Sequence, residues 1–142
     1  MAAALARVAR PGDRIALVGP LGAGKTQFAK GFALGLGVGE IVNSPSFTLM
    51  AEYAGRLPLF HQDLYRLSGA QEALATGLVD DRQADGVTLS EWAERLPAEL
   101  DPRRLTVRFE VIGEDERRIS LEPASDDHKR YLDAALKWEA AR

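Results

Sequence analysis

The 142-residue chain contains no cysteine, so neither a disulfide framework nor a thiolate metal site can form. No apolar run approaches the roughly 18 residues that a membrane-spanning helix needs, which predicts no membrane association. An excess of basic residues is also missing. The 18 Lys and Arg against 21 Asp and Glu leave a net charge of -3, whereas an independent nucleic-acid binder normally carries a basic face. DNA binding is therefore not expected. Residues 1–10 are Ala-rich but lack the layout of a signal peptide, so the cytoplasm is the expected compartment. Internal repeats and low-complexity segments are absent too. What remains, with 46% hydrophobic and 27% charged residues, has the make-up of an ordinary folded protein, and its length suits one domain over residues 1–142.

The chain is organised around Gly19-Pro20-Leu21-Gly22-Ala23-Gly24-Lys25-Thr26, which fits G-x-x-x-x-G-K-[ST] at every specified position. Arg14-Ile15-Ala16-Leu17-Val18 before it reads as a buried parallel strand, and the residues from Gln27 onward read as a helix. In this phosphate-binding pattern glycines let the backbone turn tightly and aim N–H groups at an anion. The following helix points its positive end at the same place. Lys25 is suited to the β- and γ-phosphates of a nucleoside triphosphate and the Thr26 hydroxyl to Mg2+. The expected nucleotide contacts are Gly19, Leu21, Gly22, Ala23, Gly24, Lys25, Thr26 and Gln27. A turn that merely links strand to helix is the plainer alternative.

Residues 2–9 suggest a short helix. After the Gly-rich loop, Phe28, Phe32 and Leu36 recur every fourth residue with Ala29 and Ala33 beside them, one apolar helical face. Gly31 and Gly35 interrupt it, each at about 1 kcal/mol relative to Ala, for which close packing on a sheet is the expected compensation. Asn43-Ser44-Pro45-Ser46-Phe47-Thr48 is either a surface turn or a loop passing near the γ-phosphate. Residues 48–53 and 57–62 read as a hairpin around Gly55. The second run leads into His61-Gln62-Asp63-Leu64-Tyr65-Arg66. Asp63, at a strand end, is a candidate for Mg2+ or for orienting water, or else a local strand terminator. His61 reads as a structural histidine. Residues 70–78 have a short helical pattern and 79–86 are turn-like. Residues 87–92 form a further strand that ends in Glu91, a second acidic candidate, and Trp92, either a core plug or an aromatic beside a ligand.

Leu105, Val107, Phe109 and Val111 alternate with polar residues, and Ile119 and Leu121 repeat that alternation after a turn, which predicts an antiparallel hairpin with one face buried. Asp126-Asp127 open a C-terminal helix whose stripe of Tyr131, Leu132, Ala135, Leu136 and Trp138 is expected to pack on its own domain. The predicted architecture is α/β: a single P-loop NTPase domain with a mixed sheet, parallel around the P-loop and antiparallel in the C-terminal hairpin, flanked by helices.

Taken with the Gly-rich loop, the blocks Ser44-Pro45-Ser46-Phe47-Thr48, His61 to Arg66 and Ser90-Glu91-Trp92 resemble the bacterial tRNA threonylcarbamoyladenosine biosynthesis ATPase family TsaE, from about Gly12 to Leu121. The resemblance implies an ATPase that uses ATP and Mg2+ to support turnover by a TsaB–TsaD pair, which modifies an adenosine beside the tRNA anticodon. Contact with tRNA would then be only indirect, through that complex. It implies that Lys25, Asp63 and Glu91 are catalytic, that Thr26, Asp63 and Glu91 serve the metal, and that Trp92 lies near the nucleotide. Ser44, Ser46 and Thr48 would belong to a switch-like loop. The family more often carries Thr at the place of Ser46; the hydroxyl is kept. The N-terminal helix is shorter than usual for it. Two other functions share the same loop: a small-molecule kinase, with Arg95, Arg103 and Arg104 available for an acceptor, and a nucleotide-gated binding module. A GTPase is disfavoured because no N-K-x-D motif is present. Arg66 is a candidate arginine finger in cis.

Overall fold

The computed structural model describes residues 1–45 and 48–142. Strand β1, Arg14–Val18, is followed by β2 (Met50–Tyr53), β3 (Leu59–Asp63), β4 (Val87–Glu91), β5 (Leu105–Val111) and β6 (Arg117–Glu122). They form one mixed sheet in the order β2-β3-β4-β1-β5-β6. β1 pairs in parallel with β4 and β5, and β3 with β4, while β2 and β6 close the two edges as antiparallel partners. Every residue of β4 is buried, and so are Ile15, Ala16 and Leu17 of β1, as expected of interior parallel strands covered on both faces.

Register decides where chemistry can sit. Leu17 on β1 and Asp63 on β3 both lie opposite Glu91 on β4. The carboxyl ends of three parallel strands therefore finish together, at the edge where an α/β sheet leaves a crevice for ligands.

Among the described residues four α-helices, α1 (Ala2–Ala6), α2 (Lys25–Gly35), α3 (Ala70–Ala75) and α4 (Lys129–Ala140), flank the sheet. Phe28, Ala29, Phe32 and Ala33 of α2 are buried in the main core with Ile15, Leu17, Leu89 and Val107. Phe28 meets Phe109 edge to face, with ring centres 5.7 Å apart. A smaller cluster holds Leu49, Leu64, Leu67, Leu78 and Leu96 around Ala73 of α3. At the opposite edge of the sheet from the crevice, Arg14 Nε meets Asp101 Oδ1 at 2.5 Å, and its Nη1 donates to Gln83 Oε1 at the same distance. Helix α4 is tied to the turn before β1, where Asp13 accepts from Arg130 and from the Tyr131 hydroxyl. Burial pushes that phenol well above its ordinary range.

Two sequence expectations need correction. Gly31 and Gly35 compensate for their helix cost against α1, not against the sheet. A Cβ on Gly35 would stand 2.5 Å from the Ala3 carbonyl oxygen and 2.8 Å from Ala6 Cβ. The apolar stripes are also shorter than their periodicity suggests. Val111 is 50% exposed because β5 runs on past the core beyond Phe109, and Leu136 is 68% exposed because Tyr131, Ala134 and Ala135 face the core instead.

Gly35→Ala should therefore destabilise the fold by about 1–2 kcal/mol despite the better helix propensity of Ala, since overpacking against backbone outweighs it. The melting temperature should fall by roughly 3 °C or more. Gly31→Ala, facing only the Ala2 methyl at 3.2 Å, should be close to neutral.

A second expectation concerns pH. His128 Nδ1 accepts from the Ala124 amide at 3.0 Å, which requires a ring nitrogen without a proton. Burial lowers its pKa below the ordinary 6.5, with Asp13 and Asp127 opposing and Arg130 assisting. The unfolded chain thus takes up this proton first. Stability conferred by His128 is complete above pH 6.5 and is lost as pH falls from that value towards the lower pKa of the folded state. Urea midpoints measured across this range should decline in the native chain and decline less in His128→Gln.

Candidate functional site

Helix α2 begins without a side-chain cap and with no acid in its first turn, so its leading N–H groups have no partner from their own helix or from capping side chains. The backbone enters it through Gly22 at φ +78° and Gly24 at φ +106°, left-handed conformations in which a Cβ would be strained. The loop arches over the carboxyl ends of β1 and β4 and borders a cleft of about 360 Å³. Leu21, 85% exposed, stands at its tip, while Ala23 is buried beneath. Gln27, in the first turn of the helix, lines the rim.

Lys25 is only 5% exposed. Its Nζ donates to the Gly19 carbonyl and lies 3.3 Å from the centre of the Trp92 ring. Burial pulls the ammonium below the usual lysine range, and the nearby carboxylates of Glu94, Glu91 and Asp63 pull it back. Trp92 reaches this position because the chain turns sharply after β4, with Trp92 itself at φ +55°. A left-handed tryptophan is strained, and such residues cluster at functional sites. Tyr65 packs beside it with ring centres 5.0 Å apart. Trp92 both borders the cleft and packs against the smaller apolar cluster, so its position is compatible with either reading.

Glu91 is the last residue of β4 and 3% exposed. One carboxylate oxygen, Oε1, accepts from the Thr26 hydroxyl at 2.8 Å. The other, Oε2, lies 2.7 Å from His61 Nε2. Asp63, half-buried at the end of β3, accepts from the Ser44 hydroxyl and, at 3.1 Å, from the Tyr65 amide. Thus Lys25, Thr26, Ser44, Asp63, Glu91 and Trp92 all border one cleft, drawn from α2, two strand ends and the segment after α2. Thr48 is placed differently: its exposed hydroxyl donates to the Met50 carbonyl at 3.2 Å. Ser46 lies outside the described residues.

The donor set suits a hard divalent cation. Among the described residues no group of three or more His, Cys, Asp or Glu could cage a metal. A hydroxyl and a carboxylate beside an anion-binding helix end are what Mg2+ accepts when phosphates supply further oxygens. The Thr26 proton is already engaged by Glu91, which leaves the hydroxyl lone pairs free to ligate.

His61 is the buried structural histidine that the sequence suggests, with Glu91 as its partner. His61 and Asp63 are two apart on one strand and therefore on one face, the face that Glu91 shares across the register. Because Glu91 gives His61 its polar partner, Glu91→Ala should cost about 1–3 kcal/mol by stranding a buried imidazole. Glu91→Gln, which keeps an acceptor, should cost markedly less. Urea unfolding of the two variants at neutral pH checks this.

The chain is similar to known proteins over most of its length. Residues 1–119 match the family model described as threonylcarbamoyl adenosine biosynthesis protein TsaE. The tRNA threonylcarbamoyladenosine biosynthesis protein TsaE of Bacillus subtilis is 48% identical over 117 residues, covering 82% of this chain and 73% of the relative. That of Treponema pallidum is 41% identical over 115 residues, covering 81% and 85%. Among solved structures, Bacillus subtilis YdiB superposes with a TM-score of 0.72 at 39% identity, over 99% of this chain and 85% of that one. With a family match across most of its length and relatives this similar, the chain belongs to the TsaE family.

Proposed function

We propose that this protein binds ATP with Mg2+ in the cleft at the start of α2 and hydrolyses it, in support of tRNA threonylcarbamoyladenosine modification by a TsaB–TsaD-type complex. The observation that carries the reading is the contact of Thr26 with Glu91 at 2.8 Å beside the buried Lys25, which joins the loop to an acid at the end of the neighbouring strand. The names borne by the relatives support the pathway.

In this reading the chain's work is positioning and charge stabilisation, because phosphoryl transfer to water needs little covalent help from a protein. Backbone N–H groups from Gly22 to Thr26 and the Lys25 ammonium hold the phosphate oxygens. Thr26 and Glu91 are the residues that would hold a Mg2+ ion, which would supply charge neutralisation at the phosphates. Asp63 takes the other acidic role. It stands nearer the mouth and is oriented by Ser44 and the Tyr65 amide, so it is the residue to position the attacking water. Gln27 borders both this cleft and an apolar groove of about 430 Å³ formed with Phe28, Phe109 and Trp138, a surface suited to a purine base. Arg66 lines a smaller adjoining cavity of about 200 Å³ with Tyr65 and Trp92, where it or an arginine from the partner complex can reach developing charge.

A nucleotide-gated module is the second reading. The Ser44–Asp63 bond favours it, because it couples the segment after α2 directly to a site acid. The test of both is ATP hydrolysis with Mg2+, for the chain alone and with the TsaB–TsaD pair. Slow turnover alone, stimulated at least tenfold by the pair and abolished in Lys25→Ala, is expected, since a missing arginine finger is worth about 10³–10⁵ in related NTPases. An Asp63→Asn chain that binds ATP, fails to hydrolyse it and still sustains full modification would select the gated module. A native chain that binds no ATP would overturn both.

A further inference from the structure

The structure assigns His61 a positioning role: its Nε2–H holds Glu91 Oε2, so that Oε1 is presented to Thr26 and to the cation expected there. This rests on the ATP and Mg2+ reading above and extends it to a residue that touches neither ligand.

Three observations carry it. His61 is completely buried in β3, between Ala51 of β2 and Leu89 of β4 in register. An apolar side chain would satisfy such a position, yet the chain places an imidazole there, and its Nδ1 finds no partner among the described residues. The one polar contact the ring makes among the described residues is the 2.7 Å bond to Glu91, two residues along β4 from its register partner. That diagonal is within reach across neighbouring strands, and it gives a buried histidine a reason to be kept.

The second observation is the division of the carboxylate. A carboxylate that accepted only from Thr26 could rotate about its terminal torsion and present either oxygen. With Oε2 held by a ring that is itself immobilised in the sheet, rotation is blocked and Oε1 points at the first turn of α2. The third is that Glu91 and Asp63, though directly opposite in register, have no polar partner in common among the described residues: His61 and Thr26 serve one, Ser44 and the Tyr65 amide the other. His61 therefore acts on one acid selectively. It is a positioning residue, of the kind whose removal in metal sites weakens metal affinity 10–100-fold.

The test is calorimetric titration of the full chain with ATP, in the presence and in the absence of Mg2+. Native protein should gain affinity from Mg2+. His61→Leu should lose 10–100-fold of that gain while its Mg2+-free affinity for ATP, set by Lys25 and the loop amides, stays within about twofold. His61→Gln, whose amide nitrogen can stand in for Nε2, should recover most of the gain, and the shorter His61→Asn should not. The Gln and Asn pair decides the matter if the Leu variant does not fold. Equal gains in native, Leu and Asn chains, equal losses in Gln and Asn, or a parallel fall in Mg2+-free affinity would each overturn the role. Native protein that binds no ATP would overturn the ATPase reading and this inference with it; native protein that responds to Mg2+ beside an unaffected Leu variant overturns the inference alone.

Discussion

The carboxylate of Glu91 is the point on which the rest of the site depends. It ends β4, and its two oxygens are shared between the first turn of α2 through Thr26 and the middle of β3 through His61. A buried carboxylate is costly unless its hydrogen-bonding capacity is met, and here it is met from two different elements. The position of α2 along the sheet, and hence of its N–H groups and of Lys25, is bound to the register of β3 against β4. A one-residue slip in that register would turn His61 and Asp63 away from the cleft together.

The packing behind α2 serves the same end. The helix has no side-chain cap at its start, so its leading turn is not anchored by the usual local device. Anchorage comes from its far side. Gly35 lets the backbone of α1 approach closely, Phe28 and Phe32 fill the core, and the edge-to-face contact with Phe109 fixes the rotation of the first turn. What would be weak points in an isolated helix, an open N-terminus and two internal glycines, become compatible with stability because tertiary contacts replace them.

Much of this was legible in the chain. The Gly-rich loop with a strand before and a helix after predicted the central unit, and period-two alternation predicted the β5–β6 hairpin. Asp63 and Glu91 were visible as acids at strand ends, although nothing local said that they would lie opposite each other; that follows from β3 and β4 being parallel neighbours, a non-local fact. His61 reads from the sequence as a structural histidine and is one; its partner was hidden for the same reason, since only the diagonal across two strands gives it Glu91. Likewise the partner of Gly35 lies some thirty residues upstream in α1, and no periodicity reports which surface a helix glycine will meet. The exposure of Val111 shows the converse limit: alternation tells which face a residue is on, not whether the core extends that far.

The charges around Lys25 bear on how such a cleft takes a nucleotide. One buried ammonium is surrounded electrostatically by Glu94, Glu91 and Asp63, and the basic side chains Arg66 and Arg95 stand further out, around Tyr65. A polyphosphate entering alone would bring several negative charges to an inner site whose carboxylates already outnumber Lys25. In a partly buried cleft, where screening by water is weak, like-charge contacts are a serious penalty. A divalent cation travelling with the phosphates reverses the sign of the interaction with Glu91 while leaving the helix N–H groups and Lys25 to act on the remaining oxygens. On the proposed function, the same carboxylates that would repel a bare polyphosphate would favour its metal-bound form. That preference would depend on Glu91 presenting a defined oxygen, which the His61 and Thr26 contacts hold in place.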